Sequence, residues 1–254
     1  MHLAVILRLI PDLSEELEID DSGTDIDREW IGFKLNEFDD QALEEAVLLK
    51  ERFGAKVTAV ALAAEGSDRI LQTAVARGAD EALRIDHMEE RIDSATKAAS
   101  LLAGPLAQVG ATLVLTGVQT PEDVFGQLAP TLAAQLGWPT VNAVSSILVR
   151  EGKIVVQQEY SGGFSASLLV SGPAVIGVQA ASQPPRYVSG TKLRQAQSTP
   201  IRSIDAGPAA ASAAKISSLR IPDRGSHAEM LSGDADSVAA RVLNILRERG
   251  LVGA

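Results

Sequence analysis

The chain predicts a doubly wound, mostly parallel α/β sheet. Near-continuous apolar runs such as LAVILRLI, KVTAVALA and ATLVLTG read as strands buried on both faces. Segments of roughly 10–15 residues with helical periodicity separate them, so strand and helix alternate. Apolar residues make up 46% and aromatics only 4%, which suits a core of small aliphatic side chains between a sheet and its helices.

The elements follow in order. Leu3–Ile10 reads as one first strand, stopped by Pro11-Asp12. Residues 13–35 are acidic and irregular, with Asp20-Asp21-Ser22-Gly23 as a turn between two short strands. Asn36 or Asp39 is placed to cap the helix DDQALEEAVLLKERFG, whose Ala42, Ala46, Leu49 and Phe53 share a face and whose Gly54 ends it. Lys56–Ala63 is the next strand, followed by the helix SDRILQTAVARGAD, capped by Ser67 and closed by Gly78, and a short strand Glu81–Ile85. Asp93 or Ser94 opens a helix running to about Gln108, and Ala111–Gly117 is a strand. GVQTPEDVFGQLAPTLAAQLGWPTV then carries a loop and a helix over about Val124–Leu136. Beyond Pro139, Glu151-Gly152 between two β-rich runs signals a hairpin, and Ser165–Val170 and Ala174–Ala180 are further strands. Antiparallel strands therefore enter late. Residues 186–232, rich in Ala, Ser, Gly and Pro, read as an extended arm ending in the amphipathic helix DADSVAARVLNILRERG, with Val238, Val242 and Ile245 or Leu246 on one face. The division expected is an α/β domain over 1–185 and an arm over 186–254.

Composition removes several functions. The net charge of −10 does not suit binding to nucleic acid or anionic lipid. Zero cysteines exclude disulfides, thiolate catalysis and iron–sulfur ligation, and fit a cytoplasmic protein. The N-terminal apolar run is too short to span a bilayer, and an arginine interrupts it. His2, His87 and His227 lack metal-ligand spacing and read as surface residues. Glu44-Glu45 and Glu89-Glu90 read as solvated charge, so no catalytic residue is expected. SGGFSAS (residues 161–167) superficially resembles a phosphate loop of ATP pyrophosphatases, but it lacks the aspartate and lies between strands, as a hairpin turn would. No GxGxxG or GxxxxGK[ST] follows a strand.

Ligands of open parallel sheets lie at the carboxyl ends of the strands, near the switch in strand order. Four segments meet there: the end of strand one, Leu7–Leu9 with Ile6 before it, the turn Asn36–Asp39 including Phe38, Ala61-Leu62-Ala63-Ala64, and Gly117–Gln127 with Gln119, Asp123 and Gly126. A helix beginning near Val124 would aim its first N–H groups, those of Gly126, Gln127 and Leu128, into the crevice as an anion site. Asp123 either caps that helix or hydrogen-bonds a ribose or adenine.

These stretches, in order, resemble the β subunit of electron transfer flavoproteins over about residues 1–205. The pieces are LAVILRLIPD, NEFDDQALEEAVLLKE, ILQTAVARGADEALRI, GVQTPEDVFGQLAPTLAAQLGWP, and GPAVIGV followed by PPRYVS. The resemblance implies a Rossmann-like fold of the adenine-nucleotide-binding type and a subunit that is not itself a catalyst. It implies an α partner carrying the redox FAD, a flavin dehydrogenase as donor, a quinone-reducing or other redox acceptor, and AMP or a second FAD in this chain's crevice. Asn36 and Phe38 match the nucleotide-contacting turn, and Gln119 and Gln127 the loop. Ala63-Ala64 replaces the usual Gly-Pro. Val124 removes a carboxylate, and Phe125 replaces a hydroxyl expected at phosphate, its bulk restricting space for an anion. The implied dehydrogenase-docking loop reads RYVSGTKLRQAQ, with Arg186, Tyr187, Gly190 near the anchor position and Leu193 as a substitute anchor. Fewer basic residues follow than is common, which implies a donor other than a common acyl-CoA dehydrogenase.

Two other readings compete. A stand-alone nucleotide-binding module of the universal-stress-protein type shares the sheet, but not the late β region, the PPRY segment or the arm. A nucleotide hydrolase would need a phosphate loop or a catalytic constellation.

Overall fold

The computed structural model of the chain describes residues 1–89, 91–211, 216–222 and 228–252. The strands are β1 His2–Ile6, β2 Leu9–Pro11, β3 Phe33–Leu35, β4 Lys56–Leu62, β5 Glu81–Asp86 and β6 Leu113–Gly117, then β7 Thr140–Arg150, β8 Lys153–Glu159, β9 Ser165–Val170, β10 Ala174–Val178 and β11 Ile201–Asp205. The helices are α1 Glu37–Phe53, α2 Ser67–Arg77, α3 Ala95–Val109, α4 Leu128–Leu136, α5 Gly190–Ala196 and α6 Ala235–Glu248.

Nine strands form one sheet in the order β11-β5-β4-β1-β6-β10-β7-β8-β9. All pairings from β11 to β7 are parallel. β7–β8 and β8–β9 are antiparallel, so the expected mostly parallel sheet with late antiparallel strands is what forms. Side chains alternate between two cores. Leu3 and Val5 of β1 pack with Leu43, Ala46 and Leu71 of α1 and α2. Ala4 and Ile6 face Leu102, Leu106 and Leu132 of α3 and α4. Burial on both faces is why these strands lack a polar phase.

Several ends are set locally. Gly54 ends α1 in the left-handed region, φ 66°. Ser94 caps α3 by accepting from Lys97 N. Glu151 and Gly152 both have positive φ, the turn that matches strand twist in a two-residue hairpin. Residues 161–167 close the β8–β9 hairpin, as expected.

Other expectations are corrected. The run Leu3–Ile10 is two strands, because β2 leaves the main sheet to pair with β3. Phe53, placed on the core face, is exposed. Ser67 does not cap α2, since Gly66 occupies that position and Ser67 is the first helical residue. α4 begins at Leu128, four residues later than the periodicity predicts.

Residues 186–205 are no free arm. β11 joins β5 as the sheet's edge strand, and α5 packs on α2 with Ala196 buried. The sheet therefore extends past residue 185. Beyond it, Ala210 N donates to Ser100 Oγ and Leu219 N to Gly23 O. α6 forms as expected, its first turn capped by Asp234, but none of its residues is buried.

Candidate functional site: the crevice at the strand ends

The strand order reverses between β4 and β6 on either side of β1, because the chain visits β4 and β5 on one side and then returns to β6 on the other. The crevice at the carboxyl ends of these strands has two parts. One is open, a cleft of about 520 Å³ lined by Ala63, Ala64, Gly66, Ser67, Asp68, Arg84 and Asp86. Its size is in the range of small-ligand sites. Small residues after β4 leave the space.

The other part, between β1 and β6, is filled by a polar network centred on Arg8. Arg8 Nη2 donates to Asp39 Oδ1 (2.7 Å) and to Gly117 O (2.8 Å), and Nε donates to Asp39 Oδ2 (2.9 Å). Arg8 N also donates to Asp39 Oδ2, and Gly117 N to Asp39 Oδ1 at 2.6 Å. Asp39 is fully buried, and its carboxylate is satisfied by two backbone donors and a bidentate guanidinium. Asn36 is also buried. Its Nδ2 donates to Gln119 O (2.9 Å) rather than capping α1. Asp39 likewise caps nothing. Both residues instead tie the start of α1 to the end of β6. Gly117 permits the approach, since a Cβ there would lie 2.5 Å from Asp39 N and Phe38 C.

The loop after β6 is ordered by its own bonds. Asp123 N donates to Thr120 Oγ1, and Gly126 N to Asp123 O. Gly126 has φ +61°, and a Cβ there would meet Val118 O at 2.3 Å. Asn142 Nδ2 holds Gly126 O at 3.2 Å, and Glu122 pairs with Arg28 at 2.9 Å. Asp123 accepts from Gln127 N (2.9 Å) and Leu128 N (3.1 Å). Asp123 thus bonds the N–H of Gln127, just before α4, and of Leu128, its first residue.

The predicted residues therefore divide. Asn36, Gln119 and Asp123 come together around Arg8, and the Phe38 backbone lies against Gly117. Ala63 lines the open cleft. Ile6, Leu7 and Ala61 are core side chains, which leaves only their backbone for a ligand, and Leu62 packs against the α3–α4 core. The three N–H groups expected to hold phosphate, on Gly126, Gln127 and Leu128, are all bonded to Asp123. Phe125 is 88% exposed to solvent. An adenosine moiety thus fits the open cleft by size, whereas a phosphate on α4 does not fit while Asp123 is in place.

Arg8 was missed by motif reading. Its signal was a lone cation at the carboxyl end of an apolar strand run. Glu44 and Glu45 were read as solvated charge, and both are buried. Glu45 accepts from Ile147 N, Ser182 N and Ser182 Oγ, and Glu44 from Arg186 N, Nε and Nη2. Arg186 also pairs with Glu51, and these bonds raise its pKa. Its guanidinium is thus committed to α1, and together with Gln41 and Glu45, which accept from Ala181 N and Ser182 N, it holds residues 181–187 along that helix. Tyr187 beside it is 92% exposed, Gly190 is exposed and Leu193 half-buried.

The remaining residues carry no chemistry. His2 is half-buried with Nε2 2.8 Å from Thr58 Oγ1, its pKa lowered by burial and then by Lys56. His87 Nε2 lies 3.0 Å from Ala63 O. Glu89 pairs with Lys97, while Glu90 and His227 lie outside the described residues.

Fold and crevice place the chain among doubly wound α/β proteins, whose ligands bind where the strand order switches. The particular family is given by comparison with known sequences. The profile described as the electron transfer flavoprotein domain matches residues 25–216. The electron transfer flavoprotein subunit beta of Methylophilus methylotrophus is 30% identical over 264 residues, covering 98% of each chain. The subunit beta of Bacillus subtilis is 25% identical over 99% of this chain and 100% of its own. The probable subunit beta of Saccharomyces cerevisiae is 29% identical over 81% of this chain and 80% of its own. The chain belongs to the electron transfer flavoprotein family, as a β-subunit-type member.

Proposed function

We propose that the chain is the β subunit of a heterodimeric electron transfer flavoprotein, a carrier rather than a catalyst. Its α partner holds the redox FAD, and this chain holds an adenine nucleotide, AMP or the adenylate end of a second FAD. Electrons arrive from a flavin dehydrogenase and leave to a quinone-reducing or other redox acceptor. The observation that carries the reading is the family match along the chain, joined to an open cleft at the switch in strand order. The segment β7–β9 and the match over residues 25–216 tell against a stand-alone stress-protein module.

Within this reading each part has a task. The Arg8–Asp39 network holds the floor of the crevice rigid. The latch of Arg186 on Glu44 and Glu51 presents Tyr187 and Leu193 at the surface for a dehydrogenase other than the common acyl-CoA enzymes. No described helix is long and apolar enough to cross a membrane, and we place the protein in the cytoplasm.

The test is to purify the chain with its co-expressed α partner, denature the complex and count released nucleotides. One FAD with one AMP, or two FAD, supports the reading and decides between the ligands. FAD alone removes the nucleotide from this chain.

The C-terminal helix supplies a second prediction. α6 carries an apolar stripe including Val238, Val242 and Ile245, yet buries none of it in this chain. An isolated helix of this length is marginal in water, so a neighbouring subunit is the surface proposed to cover it. Deleting residues 232–254 is expected to weaken the heterodimer by about tenfold or more, measured by sedimentation or dilution. Unchanged assembly would remove α6 from the interface.

A further inference from the structure

We infer that the face carrying Leu13, Trp30, Val124 and Phe125 seats the α partner, which meets it with an apolar centre and a rim of lysine or arginine. The inference rests on the heterodimer reading above and names the surface and the chemistry of the contact.

Two loops carry this face. The excursion between β2 and β3 exposes Trp30 at 83% and Leu13 at 51%, and the loop between β6 and α4 exposes Phe125 at 88% and Val124 at 62%. The loops are joined, because Arg28 Nη2 of the first donates to Glu122 Oε1 of the second at 2.9 Å. Asp12 N donates to Gly32 O at 2.8 Å and Gly32 N to Glu15 Oε2 at 2.9 Å, which lays the Leu13 turn along the chain that carries Trp30. Neither Trp30 nor Phe125 belongs to either core. Large apolar side chains displayed together inside a polar rim mark an interaction surface, and tryptophan is enriched where such surfaces bind most strongly.

Charge selects the occupant. Residues 12–34 hold nine carboxylates, against Arg28 and Lys34 within the segment and Arg69 and Arg91 that reach it from α2 and from the loop before α3. All four cations are engaged. Arg28 pairs with Asp25 and Glu122, Lys34 with Asp12, Arg91 with Asp25, and Arg69 donates to Phe33 O. Glu16, Glu18 and Asp27 stand beside Trp30 around a groove of about 170 Å³, and none of the three pairs with a cation among the described residues. A basic side chain laid on the indole would gain both the ring and these carboxylates. A second copy of this chain would bring the same acidic rim and be repelled. The arm points to the α partner. Leu219 N donates to Gly23 O, so the face adjoins the segment leading to α6, the helix assigned to that partner above.

The experiment measures assembly of the full chain with its co-expressed α partner, by dilution and sedimentation at low and high salt. Trp30 and Phe125 are exposed, so Trp30→Ala and Phe125→Ala should leave the circular dichroism and the unfolding midpoint of the chain unchanged. Each should weaken the heterodimer by about tenfold or more. Trp30→Phe should recover part of the loss, since it keeps an aromatic face. The native complex should weaken as salt rises. The triple variant Glu16→Gln, Glu18→Gln, Asp27→Asn should bind less tightly at low salt and respond less to added salt. Native affinity in both alanine variants, or an unaltered salt response in the triple variant, overturns the inference and leaves the heterodimer reading standing. Variants that assemble normally but lose electron transfer give the face to a redox partner and overturn it too. Failure of the native chain to assemble with the α partner overturns both.

Discussion

Asp39→Ala is expected to destabilise the chain by about 3–5 kcal/mol, because it leaves a largely buried guanidinium without its carboxylate. Arg8 keeps only 17% of its side-chain surface, and Asp39 has none. The variant also strands the N–H groups of Arg8 and Gly117, both of which donate to that carboxylate. Against a total stability of about 5–15 kcal/mol, the loss removes a large share. Equilibrium urea unfolding should show a lower midpoint with an unchanged slope. Asp39→Asn retains acceptor and shape but not charge, so it should fall between. A loss below about 1 kcal/mol for the alanine variant would mean that the network adds little beyond a surface ion pair. Because the same carboxylate ties α1 to the end of β6, release of the nucleotide proposed for the crevice should accompany the loss of stability.

The second large effect is expected at Glu44. Its carboxylate is 3% exposed and lies between Arg186 and Arg77, the latter also paired with Asp40. Glu44→Ala is expected to cost about 3 kcal/mol or more, since Arg77 is itself buried and loses one of its two partners. It should also unlatch Arg186 from α1. Hydrogen exchange would then rise at the Arg186 amide, while the Ser182 amide, held by Glu45, and β1 and β4 stay protected. If the docking role proposed for Tyr187 is right, electron transfer from the donor should fall even at temperatures where the variant is folded. Unchanged exchange at the Arg186 amide would count against the latch. Acid should loosen the same segment. The hydrogen bond from Arg186 holds the Glu51 carboxyl below its ordinary pKa. Its contribution is therefore complete above the ordinary carboxylate range and is lost as pH falls through the lowered value.

Much of the fold was legible because its signals are local. The double-faced apolar runs of β1, β4 and β6 could belong only to strands covered on both sides, and Gly54, Ser94 and Glu151-Gly152 mark their own turns and caps. Misreadings fell where a neighbour distant in sequence decided the outcome. Glu44 and Glu45 lie on a helix that looks amphipathic in isolation, and residues 181–187 crossing it, with Ile147 of β7 and Arg77 of α2, make that face interior. The helix periodicity of α4 extends back to Val124, but the hydrogen bonds of Thr120 and Asp123 hold those residues in a turn until Leu128.

The crevice shows the same division. Sequence alone determined the mostly parallel sheet with its late antiparallel strands and the family, because period, caps and motif order are written along the chain. Tertiary structure decided what each side chain does there. It placed Arg8 across two strand ends to neutralise Asp39, turned Phe125 into solvent, joined β11 to the sheet and set Asp123 on the start of α4. Burial and pairing of charges depend on residues dozens of positions apart, which the local pattern does not encode.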